Sequence, residues 1–204
     1  QVMAAMISAM DDAIGKIQDE ISRLGLADNT LSFFTSDNGP SRESRNWLDG
    51  KQDPYYGGKT GMLRGNKFSL FDGGIKLPAI IHWPGKIPSQ QVSSEVCASM
   101  DVVPTILDAV GIDYSNLEID GKSLLPHLIK GKKMPDREIF WEMQNQKAVR
   151  KGKWKLVLNG QLVENEQKVS NVHLANLESD PGEKINLADK ETEVKQELIH
   201  ILNQ

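Results

Sequence analysis

Apolar residues near the start of the chain recur with a regular step. Met3, Met6, Met10, Ile14, Ile17, Ile21 and Leu24 follow one another at gaps of three or four, which aligns them along one face of an α-helix. Gly25 supplies the flexible backbone that commonly ends such a helix. The stripe is rich in methionine, a flexible filler of irregular gaps, and reads as a face packed into a core. Asp11, Asp12, Lys16 and Asp19 interrupt the segment too often for a membrane span, and the two adjacent aspartates read as solvated. Residues 30–36, Thr-Leu-Ser-Phe-Phe-Thr-Ser, form a short run of aromatic and β-branched character that predicts a buried strand. It breaks off at Asp37-Asn38-Gly39-Pro40. A second apolar run over residues 77–83 predicts another strand, with Pro78 near its start where a lost amide donor is tolerated. Asp101 then stands where it would cap a helix running through Val102, Pro104, Ile106, Leu107 and Val110, closed by Gly111.

The pattern changes near Gly131. Residues 138–143 and 153–158 read as short strands, with Lys151-Gly152 as the turn between them, and residues 173–177 as a third. After Asp180-Pro181-Gly182, residues 193–202 place Val194, Leu198 and Ile201 on one helical face. Helix, strand, long loop, strand and helix over residues 1–130 predict part of an α/β sheet covered by helices. Strands followed by one helix over residues 131–204 predict a small antiparallel α+β subdomain. The polar stretch 41–60 between the first two strands carries Trp47, Tyr55 and Tyr56, which either line a pocket or fasten the loop to its own scaffold.

Composition narrows this picture. The 204 residues are 39% hydrophobic and 25% charged, which excludes a disordered or fibrous chain. The formal net charge of −4 gives no electrostatic footprint for nucleic acid. One cysteine, Cys97, cannot build an internal disulfide or a multi-cysteine zinc site, and it reads as a small buried hydrophobe. His82, His127, His173 and His200 lack metal-ligand spacing. Because the chain opens at Gln1 inside an uncapped helix, it reads as the downstream part of a longer protein.

Two spots carry chemistry. Asp37 and Asn38 follow directly on a strand, where open α/β sheets collect ligands, and offer two hard oxygen donors suited to calcium or magnesium. An ordinary Asx turn uses the same residues, and both readings stand on spacing alone. Lys67, between Gly65 and Gly73-Gly74, is a compact cation able to meet a tetrahedral anion, although most loop lysines are simply solvated. Arg64 either orders that loop through backbone hydrogen bonds or reaches a substrate, and the first role suits it better.

Taken in order, these pieces carry a resemblance. Met10-Asp11-Asp12 with Ile14-Gly15, the run from Asn29 to Gly39, Leu63-Arg64-Gly65-x-Lys67, Asp72-Gly73-Gly74-x-Lys76-x-Pro78 and Trp83-Pro84-Gly85 come first. Residues 99–108, Gly121-Lys122-Ser123-Leu124-Leu125-Pro126, Asp180-Pro181-Gly182-Glu183 and Asn186-Leu187-Ala188 complete the series. Together they resemble the downstream half of type I sulfatases, in the alkaline phosphatase superfamily, over nearly the whole chain. The resemblance implies a mixed sheet flanked by helices and hydrolysis of an aryl or carbohydrate sulfate. It assigns Asp37 and Asn38 to the divalent cation, usually calcium, and Lys67 to the sulfate. It also implies a formylglycine nucleophile made in a Cys/Ser-x-Pro/Ala-x-Arg motif. Cys97-Ala98-Ser99 does not match that motif, so the nucleophile, the upstream aspartate pair and the remaining active-site histidine and lysine are expected before Gln1. Asp72 and Lys76 stand where the family usually has Glu and Arg. The chain is therefore expected to be inactive alone, to partner the rest of the same protein, and to work outside the cytoplasm. A phosphonate or phosphate monoester hydrolase of the same superfamily, or a non-catalytic anion-binding module, are the alternatives.

Overall fold

The computed structural model describes residues 2–42, 58–163 and 168–204. It divides into two compact units, Gln1–Phe34 with Ile80–Pro135, and Thr35–Ala79 with Asp136–Gln204.

The first unit opens on helix α1, Val2–Arg23. Its end is closed as the glycine predicted: Gly25 takes φ 70°, and the amides of Gly25 and Leu26 donate to the carbonyls of Ser22 and Ile21, each at 3.0 Å. The apolar stripe, however, is not a core. Met6 is 62% and Ile17 59% exposed, and of the stripe only Ile14 and Ile21 are half-buried. Periodicity establishes the helix and its sidedness; burial needs a facing surface, which no described element of this unit supplies. The strands are likewise more open than the buried strand expected from their composition. β1 (Ser32–Thr35) and β2 (Ala79–His82) pair in a two-stranded sheet, with Phe34 42% and Ile80 63% exposed.

Helix α3 (Val102–Ala109) ends before Gly111 at φ 73°. Asp101 does not cap it through its side chain. The fully buried carboxylate accepts the amides of Ala98 and Lys122, both at 2.8 Å, while the Asp101 carbonyl accepts the Thr105 hydroxyl at 2.6 Å. The Thr105 Oγ1 in turn accepts the Leu124 amide at 2.8 Å. Asp101 thus binds the turn before α3 to the Gly121–Leu124 segment, which leads into a further helix, α4 (Leu125–Lys130), unforeseen because of its brevity. Cys97 is exposed, not a buried hydrophobe; it lies on an irregular stretch, where its thiol donates to the Glu95 carbonyl at 3.5 Å.

The second unit is built on an antiparallel sheet of order β3-β4-β5-β6: Glu138–Met143, Gln146–Lys151, Trp154–Leu158 and Val172–Asn176. Strand β4 escaped the sequence reading, which joined residues 138–143 directly to 153–158 through Lys151-Gly152. Gly152, at φ 55°, turns β4 into β5, and Gln144-Asn145 makes the earlier turn. The reason is compositional: the buried residues of β4 are Gln146, Ala148 and Val149, too small or polar to print an alternating apolar signal. Successive side chains take opposite faces. Val149, Leu156 and Leu174 pack with Ala188 and with Leu198 of helix α5, which spans Thr192–Leu202. Ala148 and Val157 face the other way, onto Leu70 and Phe71. One face therefore carries a helix, and the other carries the loop containing Lys67.

Candidate functional site

Two loops of the second unit meet through their backbones. The Gly39 amide donates to the Gly74 carbonyl at 2.8 Å and the Lys67 amide to the Pro40 carbonyl at 3.0 Å. The approach requires glycine, since a Cβ at Gly39 would collide with the Gly73 carbonyl oxygen. Asp37 is exposed and Asn38 half-buried, both at the end of β1. Asn38 Nδ2 donates to the Gly39 carbonyl at 2.9 Å, and the Ser36 hydroxyl to the Asn38 carbonyl at 3.0 Å. The turn's side chains thus do bond to local backbone, but through the nitrogen of Asn38 and the Ser36 hydroxyl. The Asn38 amide oxygen is an acceptor by type, as is the carboxylate of the preceding Asp37.

Lys67 is half-buried, with its ammonium 5.4 Å from the centre of the Phe68 ring. Phe68 itself sits in the left-handed region at φ 69°, a conformation a bulky residue keeps only when neighbours hold it. Gln146 is one such neighbour. It is 1% exposed; its Nε2 donates to the Phe68 carbonyl at 2.8 Å, and its Oε1 accepts the amides of Leu70 (3.4 Å) and Gln161 (3.0 Å). The Asn66 amide donates to the Leu162 carbonyl at 3.0 Å and the Ser69 hydroxyl to the Gln161 carbonyl at 2.6 Å.

Beneath the loop lies a group of buried charges. Helix α2 (Asp72–Ile75), a single turn, buries Asp72, whose Oδ1 is 2.6 Å from Lys155 Nζ. Lys155 Nζ is also 3.0 Å from Glu183 Oε1, and Glu183 Oε2 accepts the Asp72 amide at 2.5 Å. Arg64 Nη1 donates to the Glu183 carbonyl at 2.7 Å while its guanidinium lies 4.5 Å from the centre of the Phe71 ring. Arg64 thus does order the loop through a backbone bond. Glu183 holds both flanks of Lys67, through Arg64 on one side and Asp72 on the other. Burial pushes the Glu183 carboxyl up from its ordinary value, with Lys155 pulling the other way. His173 is buried edge-on to Phe71, ring centres 5.2 Å apart, and is pushed down to about 4 by burial and then by the positive charge of Arg64. It is a neutral core histidine at neutral pH.

The remaining motif residues fasten this scaffold. Asp180 Oδ2 accepts the Ile185 amide at 2.8 Å. Asn186 Oδ1 accepts the amides of Leu174 (3.1 Å) and Ala188 (3.0 Å), and its Nδ2 donates to the Val172 carbonyl at 2.9 Å, tying the segment to β6. Gln146 and Lys155 were missed in the sequence. Lys155 had left one trace, a charge inside the apolar run Trp-Lys-Leu-Val-Leu. Trp47, Tyr55 and Tyr56 lie outside the described residues.

Among the described residues no three His, Cys, Asp or Glu side chains converge as a metal cluster, and no helix is long and apolar enough to cross a membrane. Asp37 and Asn38 fit a hard cation as two oxygen donors of the six to eight that calcium takes. They are a partial set.

The class comes from the solved neighbours: the chain has the alkaline phosphatase-like fold of the sulfatases it aligns with. A family model described as Sulfatase matches residues 1–112, and one described as N-sulphoglucosamine sulphohydrolase, C-terminal, matches residues 64–204. The chain belongs to the sulfatase family. It is similar to arylsulfatase A of Bos taurus, 32% identical over 96% of this chain and 40% of that protein. N-acetylgalactosamine-6-sulfatase of Homo sapiens is 40% identical over 66% of this chain and 24% of its own length. A sulfatase structure from work on glycosaminoglycan metabolism by Bacteroides thetaiotaomicron aligns with TM-score 0.74 and 26% identity, over 95% of this chain and 42% of that one. The chain thus spans about two fifths of the length of such relatives at most.

Proposed function

We propose that this chain is the downstream part of a sulfatase that hydrolyses sulfate esters, and that Lys67, Asp37 and Asn38 are its contribution to the active centre. The observation that supports the reading is the backbone seam between the two loops, Gly39 to Gly74 and Lys67 to Pro40, which joins the Lys67 loop to the segment directly after Asp37 and Asn38. Lys67 would bind and orient the sulfate group and offset the negative charge its oxygens gain as the ester bond breaks. Asp37 and Asn38 would hold a divalent cation, calcium by donor type, which when bound polarises sulfate oxygens and templates the ester. The nucleophile belongs to a part of the protein outside these residues, because Cys97-Ala98-Ser99 does not fit the formylglycine motif. The division of labour runs between residues 1–130, as part of the catalytic α/β domain, and residues 131–204, as its backing subdomain. Family membership supports work outside the cytoplasm and a sulfated small molecule or glycan as substrate.

The test is kinetic. The complete protein carrying this chain should cleave an aryl sulfate such as 4-nitrocatechol sulfate, and residues 1–204 alone should not. Lys67→Ala in the complete protein should lower kcat/KM by about 10²–10³-fold, the loss typical of removing one preorganised charge-stabilising group. Full activity of Lys67→Ala, or turnover by the isolated chain, overturns the assignment.

A further inference from the structure

The backbone that bears the Lys67 side chain is fixed from both sides. On one side the Lys67 amide donates to the Pro40 carbonyl at 3.0 Å. On the other, Phe68 holds φ 69°, in the left-handed region where an L side chain crowds its own backbone and only glycine is at ease. Left to itself a phenylalanine returns to negative φ, and the peptide joining Lys67 to Phe68 turns with it. A strained residue of this kind persists only where its surroundings over-determine it.

Two anchors serve this loop, and they differ in kind. Its far end is held by burial, since Leu70 and Phe71 pack on Ala148 and Val157 of the sheet. Its near end is held by one side chain. Gln146 is the first residue of β4, in register with Met143 across the turn, so it is carried on a paired strand. It is 1% exposed, and water has little access to compete for its bonds. Its Nε2 donates to the Phe68 carbonyl at 2.8 Å, while its Oε1 accepts the amides of Gln161 (3.0 Å) and Leu70 (3.4 Å). The place demands a donor and an acceptor on one planar group, which a carboxamide supplies and a carboxylate, an ammonium or an apolar chain does not. Gln161 belongs to the same block, because its carbonyl accepts the Ser69 hydroxyl at 2.6 Å. Only the Nε2 bond bears on Phe68.

We propose that Gln146 is a positioning residue for Lys67: by holding the Phe68 carbonyl it keeps the backbone at Phe68 left-handed and so fixes the direction in which the Lys67 ammonium reaches. Gln146 touches no substrate; it acts through the loop. The inference rests on the sulfate-ester reading above, so its test joins kinetics to structure, both on the complete protein. Gln146→Glu is the near-isosteric probe, because its carboxylate still accepts the Leu70 and Gln161 amides but sets an oxygen against the Phe68 carbonyl. It should lower kcat/KM on 4-nitrocatechol sulfate about 10–10²-fold, the scale on which a displaced catalytic group loses rate. Phe68→Gly separates positioning from packing. In that background the left-handed backbone costs nothing, so adding Gln146→Glu should lower kcat/KM by less than about 3-fold relative to Phe68→Gly alone. A crystal structure of the Gln146→Glu protein should show Phe68 at negative φ and Lys67 displaced. If that variant does not fold, Gln146→Met carries the same comparisons, since it removes the bond without burying a charge. Equal losses in the two backgrounds would mean a packing role and overturn the proposal, as would parental kcat/KM with Phe68 still near φ 69°. A displaced Lys67 together with full activity of Lys67→Ala would sink the sulfate reading and leave the hold of Gln146 on the loop standing. A loss of activity in Lys67→Ala with an undisplaced loop in Gln146→Glu would do the reverse.

Discussion

Lys155→Met removes the single cation that two buried carboxylates share. Lys155 and Glu183 are both fully buried and Asp72 is 3% exposed, so no solvent stands ready to replace the ammonium. The distances of 2.6 and 3.0 Å put it in direct contact with both acids. Breaking a buried pair by deleting one partner typically costs about 3–5 kcal/mol, because the desolvation of the remaining charge is no longer offset. Set against a typical stability of about 5–15 kcal/mol, that is a large share. The assay is urea unfolding of this chain at pH 7, followed by far-UV circular dichroism, with the midpoint and slope fitted separately. Two internal controls sharpen it. Adding Asp72→Asn to Lys155→Met should recover part of the loss, because one orphaned charge is gone. Lowering the pH should also narrow the gap between variant and parent. Burial already holds the Glu183 carboxyl above its ordinary value, and without Lys155 less opposes that, so the variant's stability falls as pH rises through the interval above the unfolded pKa and recovers below it. A loss under about 1 kcal/mol at pH 7, with no narrowing on acidification, would refute the claim that these charges form one buried unit.

Gly39→Ala should push the two loops apart at the Gly73 carbonyl, lowering the activity of the complete protein at least about 10-fold while leaving the sheet's circular dichroism intact; crystal structures of parent and variant would check the displacement. Asp101→Ala removes the buried acceptor of the Ala98 and Lys122 amides and should cost about 1–3 kcal/mol in urea unfolding, the worth of hydrogen bonds to a charged group when water partly reaches the freed amides. His173, with its folded pKa near 4 below an unfolded value of 6.5, contributes stability that is complete at pH 7 and is lost as pH falls between those values. Relative to His173→Gln, the parent should lose about 3 kcal/mol between pH 7 and pH 4, read from paired urea titrations; parallel pH profiles would exclude burial of the neutral ring as the cause.

Much of the local architecture was legible in the sequence because it rests on periodicity. The stripe from Met3 to Leu24 gave α1, and β3 came out at its observed bounds. Gly25 and Gly111 marked the ends of α1 and α3, and both take the positive φ that such ends require. Burial was a different matter. Met6 and Ile17 lie on a well-formed helical face at the surface, because sidedness is a property of one segment and enclosure a property of two. At the candidate site, Asp37, Asn38 and Lys67 stood out as residue types in order. What holds them was hidden: Lys155 reaches Asp72 across 83 positions and Glu183 reaches it across 111, and no local pattern encodes either pairing.

The grip of Glu183 on Arg64 and Asp72 also sets a schedule for synthesis. The loop bearing Lys67 leaves the ribosome well ahead of the carboxylate that fastens both its flanks, which is made 111 residues after Asp72. Closing so long a loop is slow relative to forming a local helix. Until then the loop with Arg64 and Lys67, and later Lys155, lacks that anchor and is exposed to chaperones and proteases. A premature stop just before residue 183 would accordingly spare every residue proposed to touch sulfate or cation and still leave the loop unset. The segment around residue 183, far along the chain from Lys67, is thus a place where truncation would disable the loop without removing a residue proposed to touch the ligand.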